Sequence, residues 1–373
     1  MTSIGGAEMV DWNLAVATAT RLVRPGPDVS RDEARAVVAE LRRHAKASEQ
    51  HVRGFTRMGT DDIHDTPILV VDRPGWVRAN VAGFREVLKP LLDKMQERRS
   101  NTPGGAVFGA VGGKVTGVEL GMLLSFLSSR VLGQYETFAP ATRELPAGAK
   151  GGRLLLVAPN IVHVERELDV QPHDFRLWVC LHEETHRTQF TAVPWLRDHL
   201  EGEIQSFLGE TEVDPMTVLE RIREAAQSLA GGRPEGEEDD ESRSLVEIVQ
   251  TPAQREILGR LTAVMSLLEG HADFVMDGVG PDVVPSVAEI REKFQQRRAK
   301  GASRLDSALR KLLGLDAKLR QYRDGERFVR AVVEQVGMDG FNRVWTSPNT
   351  LPTKTEIAKP ADWVARVHRK AES

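Results

Sequence analysis

The chain has 373 residues, with 50 Lys or Arg and 54 Asp or Glu, so its formal net charge is only −4. Such a charge gives no reason to expect nucleic-acid binding, which usually shows as a basic excess on a domain. The single cysteine, Cys180, excludes an internal disulfide and a cysteine-rich zinc module. We expect it to be a small buried residue and not a nucleophile.

Residues 1–100 are predicted to form an N-terminal helical region. Helices are expected over 11–23, 30–48 and 74–99, with a short strand over 68–71. Ser30 and Glu33 form a capping box at the start of the second helix. The N-terminus lacks the basic stretch and apolar core of a secretory signal.

Residues 101–373 are predicted to form a metal-binding domain, either separate from the first region or continuous with it. The most apolar stretch, 104–132, is interrupted by Lys114, Glu119 and Arg130. It therefore falls short of the roughly 18–20 uncharged residues that span a bilayer, and we interpret it as a buried pair of helices. The chain is expected to be cytoplasmic, with no integral membrane segment.

The rest of the chain alternates between strand, helix and turn signals. Strands are predicted over 154–157 and 161–164. Helices are predicted over 172–190, 195–208 and 251–277, and further amphipathic helices are expected to fill 303–336. Segment 231–243 holds six acids and almost no apolar residue, so we expect a disordered loop. The stretch 340–367, with Phe341, Trp345 and Trp363 as anchors, suggests an ordered extended segment.

The strongest chemical signal is His182-Glu183-Glu184-Thr185-His186, an HExxH motif inside the predicted helix 172–190. Residues four apart share one helical face, so both imidazoles can reach a single Zn²⁺ ion. Glu183 projects about 100° away and is suited to act on a metal-bound water. From composition alone the motif is expected by chance in about 2% of such chains, so it favours a zinc site.

A hydrolytic zinc site usually has three protein ligands, so another helix must supply the third. Position 192 is Ala and position 189 is Gln, which excludes the extended His-ligated motif of the metzincins. Glu269 and Asp273 lie four apart on one face of the predicted helix 251–277. We expect Glu269 to bind zinc and Asp273 to orient a ligand histidine, with His271 as the competing ligand.

The arrangement of Glu269 and Asp273 after HExxH resembles that of the gluzincin peptidases. The chain more closely resembles the zincin-like type 2 family, bacterial and chiefly actinobacterial proteins described as zinc metalloproteases and associated with deazaflavin-coenzyme biosynthesis. The matching stretches are VLGQYE at 131–136, LLLVAPNI at 154–161, LHEETHRTQFTAVPWLRDHL at 181–200, EGHADFVMD at 269–277, and FNRVWTSPNTLPTKTEI with WVARV near the end. The resemblance implies a mainly α, zincin-like metalloprotease fold with a small β-sheet and the HExxH motif on its active-site helix. It also carries over His182, Glu183 and His186 by motif and Glu269 by position.

These residues predict a zinc peptidase in which Glu183 is the general base for a metal-activated water. Tyr135 is the candidate donor to the oxyanion, with His199 and His368 as alternatives. The expected partner is a peptide or protein substrate. Two other functions stay open: a zinc hydrolase acting on a different substrate, and an inactive scaffold in which zinc only joins two helices.

Overall fold

The computed structural model describes residues 10–59, 66–100, 105–139, 152–210, 251–300 and 315–369. The loop predicted over 231–243 lies outside these ranges. The described chain divides into two compact units, the first made of Met1–Arg197 with His271–Lys300 and the second of Asp198–Gly270 with Gly301–Ser373. An N-terminal region ending near residue 100 stays a prediction.

Helices dominate the described chain, which confirms the mainly α prediction. They are α1 (Trp12–Leu22), α2 (Arg31–Thr56), α3 (Arg73–Ser100), α4 (Gly105–Ser128), α5 (Ala158–Leu168), α6 (Pro172–Ala192), α7 (Leu196–Gly209), α8 (Pro252–Gly278), α9 (Val287–Lys300), α10 (Leu315–Phe341), α11 (Lys354–Ala358) and α12 (Pro360–Arg369). Two short 3-10 helices, Asn342–Trp345 and Pro348–Thr350, follow α10. No described helix combines the length and the apolar character needed to cross a bilayer.

The first unit is built around a three-stranded sheet, β1 (Ile68–Val71), β2 (Gly133–Glu136) and β3 (Arg153–Val157), in the order β1-β3-β2. β3 pairs parallel with β1 and antiparallel with β2. Its residues 154–157 are fully buried, because both faces of the sheet are covered. Leu156 packs in one cluster with residues of α2, α5 and α6, whereas Leu155 and Val157 pack in another with residues of α1 and α3.

Local capping signals in the sequence are reproduced closely. Asp11 caps α1 by accepting a hydrogen bond from the Leu14 amide at 2.9 Å, and Ser30 caps α2 by accepting one from the Glu33 amide at 3.1 Å. Thr251 and Gln254 form a reciprocal capping box at the start of α8. These contacts span three residues each, so the sequence fixes them without help from the rest of the fold.

Three sequence-based expectations about local structure are wrong. Residues 161–164 belong to helix α5 and not to a strand, because Pro159 occupies its first turn and Ile161, Val164 and Leu168 lie on one buried helical face. Segment 104–132 contains one helix, α4, in place of a pair. The C-terminal stretch is helical in α11 and α12 and not extended, since Thr353 and Glu356 cap α11 reciprocally.

The second unit contains two closely packed helices and the C-terminal elements. A Cβ added at Gly270 of α8 would lie 2.1 Å from the backbone carbon of Gly325 in α10. A Cβ at Gly325 would lie 1.9 Å from the carbonyl oxygen of Ser266. Only glycine permits two helix backbones to approach so closely, so this pair of glycines sets the crossing of α8 and α10.

Candidate metal centre

Helix α6, which carries the HExxH motif, is buried on almost every side. Pro172 occupies its first turn, where the missing amide hydrogen costs nothing. Asp174, also in the first turn, accepts hydrogen bonds from the amide and the hydroxyl of Ser286. Buried apolar residues including Phe175, Trp178 and Leu181 then hold the helix in the core. The motif therefore lies on a rigid element, as a site with fixed geometry requires.

His182 and His186 bring one nitrogen each to the same point. Their Nε2 atoms are 3.3 Å apart, and the ring planes are perpendicular at 90°. Two nitrogens that each lie about 2.0–2.1 Å from a tetrahedral zinc ion stand about 3.3–3.4 Å apart. The observed separation of the two Nε2 atoms therefore matches a pair of zinc ligands.

The other nitrogen of each ring faces a hydrogen-bond acceptor. Nδ1 of His182 lies 3.6 Å from Oδ1 of Asp273, and Nδ1 of His186 lies 3.0 Å from Oε1 of Gln189. An acceptor at Nδ1 favours the tautomer that carries its proton there. In His186, whose Nδ1 lies within hydrogen-bond distance of Gln189, this tautomer leaves a lone pair on Nε2, which a metal ion can accept.

Gln189 joins this pair to a second buried histidine. Its side chain is fully buried, and its Nε2 donates to Nδ1 of His271 at 3.0 Å. Burial, together with the nearby His186, lowers the pKa of His271 to about 3, so this ring is neutral at physiological pH. From the sequence, His271 is a competing ligand, whereas no role is expected for Gln189. The available signal was a glutamine three residues after the second histidine of the HExxH motif, on the same helical face.

Glu269 precedes Asp273 by one turn on α8, an unbroken helix, so both side chains project from the same face. Because Asp273 contacts His182, this face of the helix is directed at the histidine pair. One possible ligand atom from each of His182, His186 and Glu269 lies within 4.8 Å of the other two. The three expected ligands thus form a group that a single ion could join.

Glu183 is buried and lies against β2. A Cβ added at Gly133 would be 2.5 Å from Cγ and 2.8 Å from Oε1 of Glu183, so the glycine leaves the space that this carboxylate occupies. β2 is an edge strand of the sheet formed by the described strands. β3 is the central strand of this sheet, because β1 and β2 flank it.

The neighbouring Glu184 is bound to an arginine and is not directed at the histidine pair. It forms a buried ion pair with Arg187 at 3.1 Å, and Arg187 also donates to Thr66 at 2.6 Å. Burial raises the pKa of Glu184 to about 7, although Arg187 opposes the shift. The two carboxylates of the motif therefore face different partners.

The remaining candidates lie in packed surroundings. Tyr135 stacks on Phe190 with ring centroids 5.5 Å apart, and a Cβ at Gly152 would meet its hydroxyl at 2.2 Å. Its role at an oxyanion stays a prediction. The His368 ring contacts Trp363 in the second unit. Cys180 is fully buried, and burial raises the pKa of its thiol well above the ordinary value, which confirms that it is a small core residue.

Comparison with known proteins agrees with this geometry. A family profile described as zincin-like metallopeptidase matches residues 10–364. The chain belongs to this family. Zincin-like metallopeptidases generally bind zinc and are hydrolases. The link to deazaflavin-coenzyme biosynthesis stays a prediction.

A solved structure supports the same conclusion about the fold. The zincin-like chain is similar to a "putative hydrolase with a novel fold" from Chloroflexus aurantiacus, with a TM-score of 0.67 and 30% sequence identity. The match covers 96% of this chain and 99% of that one. No curated protein sequence matches the chain.

Proposed function

We propose that this chain is a zinc-dependent peptidase in which His182, His186 and Glu269 bind Zn²⁺ and Glu183 is the general base. The observation that supports the proposal is the approach of the Nε2 atoms of His182 and His186 to 3.3 Å on a buried helix, the separation expected of two zinc ligands. Nitrogen and carboxylate oxygen are common zinc ligands, and three protein ligands leave one position for water.

Zinc bound here would lower the pKa of its water towards neutrality and polarise the substrate carbonyl. Beside such a site, the Glu183 carboxylate would hold the attacking water by a hydrogen bond and would accept its proton. The same carboxyl group then delivers the proton to the departing amine. Asp273 and Gln189 would keep the rings of His182 and His186 in the orientation in which Nε2 presents its lone pair to the metal.

The edge strand β2 favours a peptide over other substrates. An extended peptide can pair with the backbone of an exposed strand edge, which aligns its scissile bond without regard to its side chains. Gly133 begins this strand and lies against Glu183. A peptide on β2 would therefore pass beside the general base.

The first test is Glu183→Gln, which keeps the shape of the side chain and removes the base. Hydrolysis of a peptide library, followed by mass spectrometry, should fall by ~10²–10⁴-fold. Tightly bound zinc and the thermal midpoint should stay at the wild-type level. Wild-type turnover by the variant would contradict the assigned mechanism.

A second variant tests the position of the Glu183 carboxylate by changing a residue that lies against it. Gly133→Ala should push the Glu183 side chain from its place and lower turnover while zinc stays bound. Gly54→Ala is the matched control, because a Cβ there meets nothing within 4 Å. If both alanine variants retain full activity, Gly133 does not position the base.

The ligand assignment is tested separately by zinc content. His182→Ala, His186→Ala and Glu269→Ala should each remove the tightly bound ion, whereas His271→Ala should leave it in place. Loss of zinc on changing His271 and its retention on changing Glu269 would assign the third ligand to His271. Zinc binding without cleavage of any peptide would favour the alternative function, an inactive scaffold in which zinc only joins two helices.

A further inference from the structure

A second group of ligand-type side chains lies at the opposite end of α6 from the HExxH motif. Glu40 and His44 are four residues apart on α2, and His173 is the second residue of α6. Nδ1 of His173 lies 2.9 Å and Nε2 of His44 lies 3.4 Å from the same oxygen, Oε1 of Glu40. One ligand atom from each of the three residues lies within 4.8 Å of the other two.

The buried member of the group is His44, which is 8% exposed. Among the described residues, its Nε2 makes no hydrogen bond, although it is directed at the Glu40 oxygen. A buried polar atom without a hydrogen bond is costly unless it has another partner.

Arg176 orients the carboxylate of this group. It donates to Oε2 of Glu40 and also bonds Glu165 at 2.5 Å and 2.8 Å, so Oε1 of Glu40 is left facing the two histidines. Partners behind a ligand carboxylate fix it in this way in known metal sites. With both carboxylates ionised, the charge of Glu40, Glu165 and Arg176 sums to −1, which favours a cation.

We propose that Glu40, His44 and His173 form a second binding site for a borderline divalent cation such as Zn²⁺. Two imidazole nitrogens and one carboxylate oxygen suit zinc and its transition-metal neighbours, and disfavour Ca²⁺ or Mg²⁺. His173 is exposed, so an ion can enter from solution and keep water as a fourth ligand. The ion would replace the His173–Glu40 hydrogen bond and join α2 to the start of α6.

This site is separate from the HExxH centre. His173 precedes His182 by nine residues, which places the two about 13–14 Å apart along the helix axis at about 1.5 Å per residue. The N-terminus of α6, which carries the positive end of the helix dipole, lies next to the second site and opposes the binding of a cation there. We therefore expect it to bind zinc more weakly than the HExxH centre.

The test is a calorimetric titration of the metal-free protein with Zn²⁺. Wild type should take up two equivalents, and His173→Ala should take up one. His173 is the residue to change because it is exposed, so the variant should keep the fold. His163→Ala is the matched control: it removes another exposed histidine with an acid four residues on, Glu167, at 3.9 Å, and should still bind two.

The variants also separate this site from the proposed catalytic one. A single equivalent in wild type that His173→Ala removes would support the second site and count against zinc at His182 and His186. An equal number of ions in wild type and His173→Ala would overturn the second site. It would also be overturned if His163→Ala lost the same equivalent as His173→Ala.

Discussion

Gln189 is the side chain whose importance is clearest from the structure. It accepts at Oε1 from His186 and donates at Nε2 to His271, so one amide holds two rings and fixes their tautomers. A residue with only an acceptor or only a donor could not do both. The glutamine therefore acts through His186 as a positioning residue for the metal centre.

Replacing Gln189 with Leu should weaken zinc binding by ~10–100-fold, the usual cost of removing a partner behind a ligand histidine. Asp273→Ala should act similarly through His182. Gln189→Glu keeps an acceptor for His186 and should bind zinc more nearly as wild type does. Competition with a chromophoric chelator measures these affinities. Equal zinc affinity for wild type and Gln189→Leu would show that Gln189 does not position His186.

Tyr135 should contribute a pH-dependent part of the stability in alkaline solution. Burial raises the pKa of its phenol to about 12 from an ordinary value of 10.0, so the folded state favours the protonated form. This stabilisation is complete below pH 10 and is lost as pH rises from 10 to 12. In denaturant titrations, Tyr135→Phe should show a shallower loss of stability than wild type across that interval. Parallel curves would contradict the assignment.

The contact between helices α8 and α10 explains why a glycine, Gly270, stands between Glu269 and His271 in the middle of α8. Glycine costs about 1 kcal/mol relative to alanine inside a helix, so its presence needs a reason. The backbone of Gly325 fills the space where a Gly270 side chain would stand. The position that separates Glu269 from His271 is thus set by packing within the second unit.

Gly270→Ala should lower the free energy of unfolding by about 1–3 kcal/mol, because the added methyl forces the two backbones apart. Gly259→Ala on the same helix is the control. A Cβ there meets nothing within 4 Å, so the gain in helix propensity should stabilise the protein by up to about 1 kcal/mol. Denaturant unfolding measures both. Two variants with the same change in stability would show that the glycine contact is unimportant.

If zinc binds at the proposed ligands His182, His186 and Glu269, it should stabilise the whole molecule, because these residues come together only in the folded chain. An ion at 100 times its dissociation constant contributes about 2.7 kcal/mol. Chelation should therefore lower the thermal midpoint by several degrees. The measurement is best made in His173→Ala, so that the second proposed site does not contribute. Adding His186→Ala should abolish the effect of the chelator.

The sequence by itself determined the features that depend on neighbours a few residues away. Pro172 and the apolar residues after it predict helix α6. The spacing of four residues predicts that His182 and His186 share one face of that helix. Pairs three residues apart, such as Ser30 and Glu33, predict the helix caps. Helix periodicity and backbone capping are local, so they can be read without the rest of the chain. The same spacing gave Glu269 and Asp273 a common face.

Tertiary structure decided whatever depends on partners distant in sequence. β2 has only four residues and little apolar character, and it exists because β3 pairs with it. The β-branched residues at 161–164 predict a strand from the sequence, but in the structure they lie on the buried face of helix α5. Gln189 meets His271 across 82 positions, and Glu40 meets His173 across 133. Such contacts form only when burial brings elements together, and no local pattern specifies them.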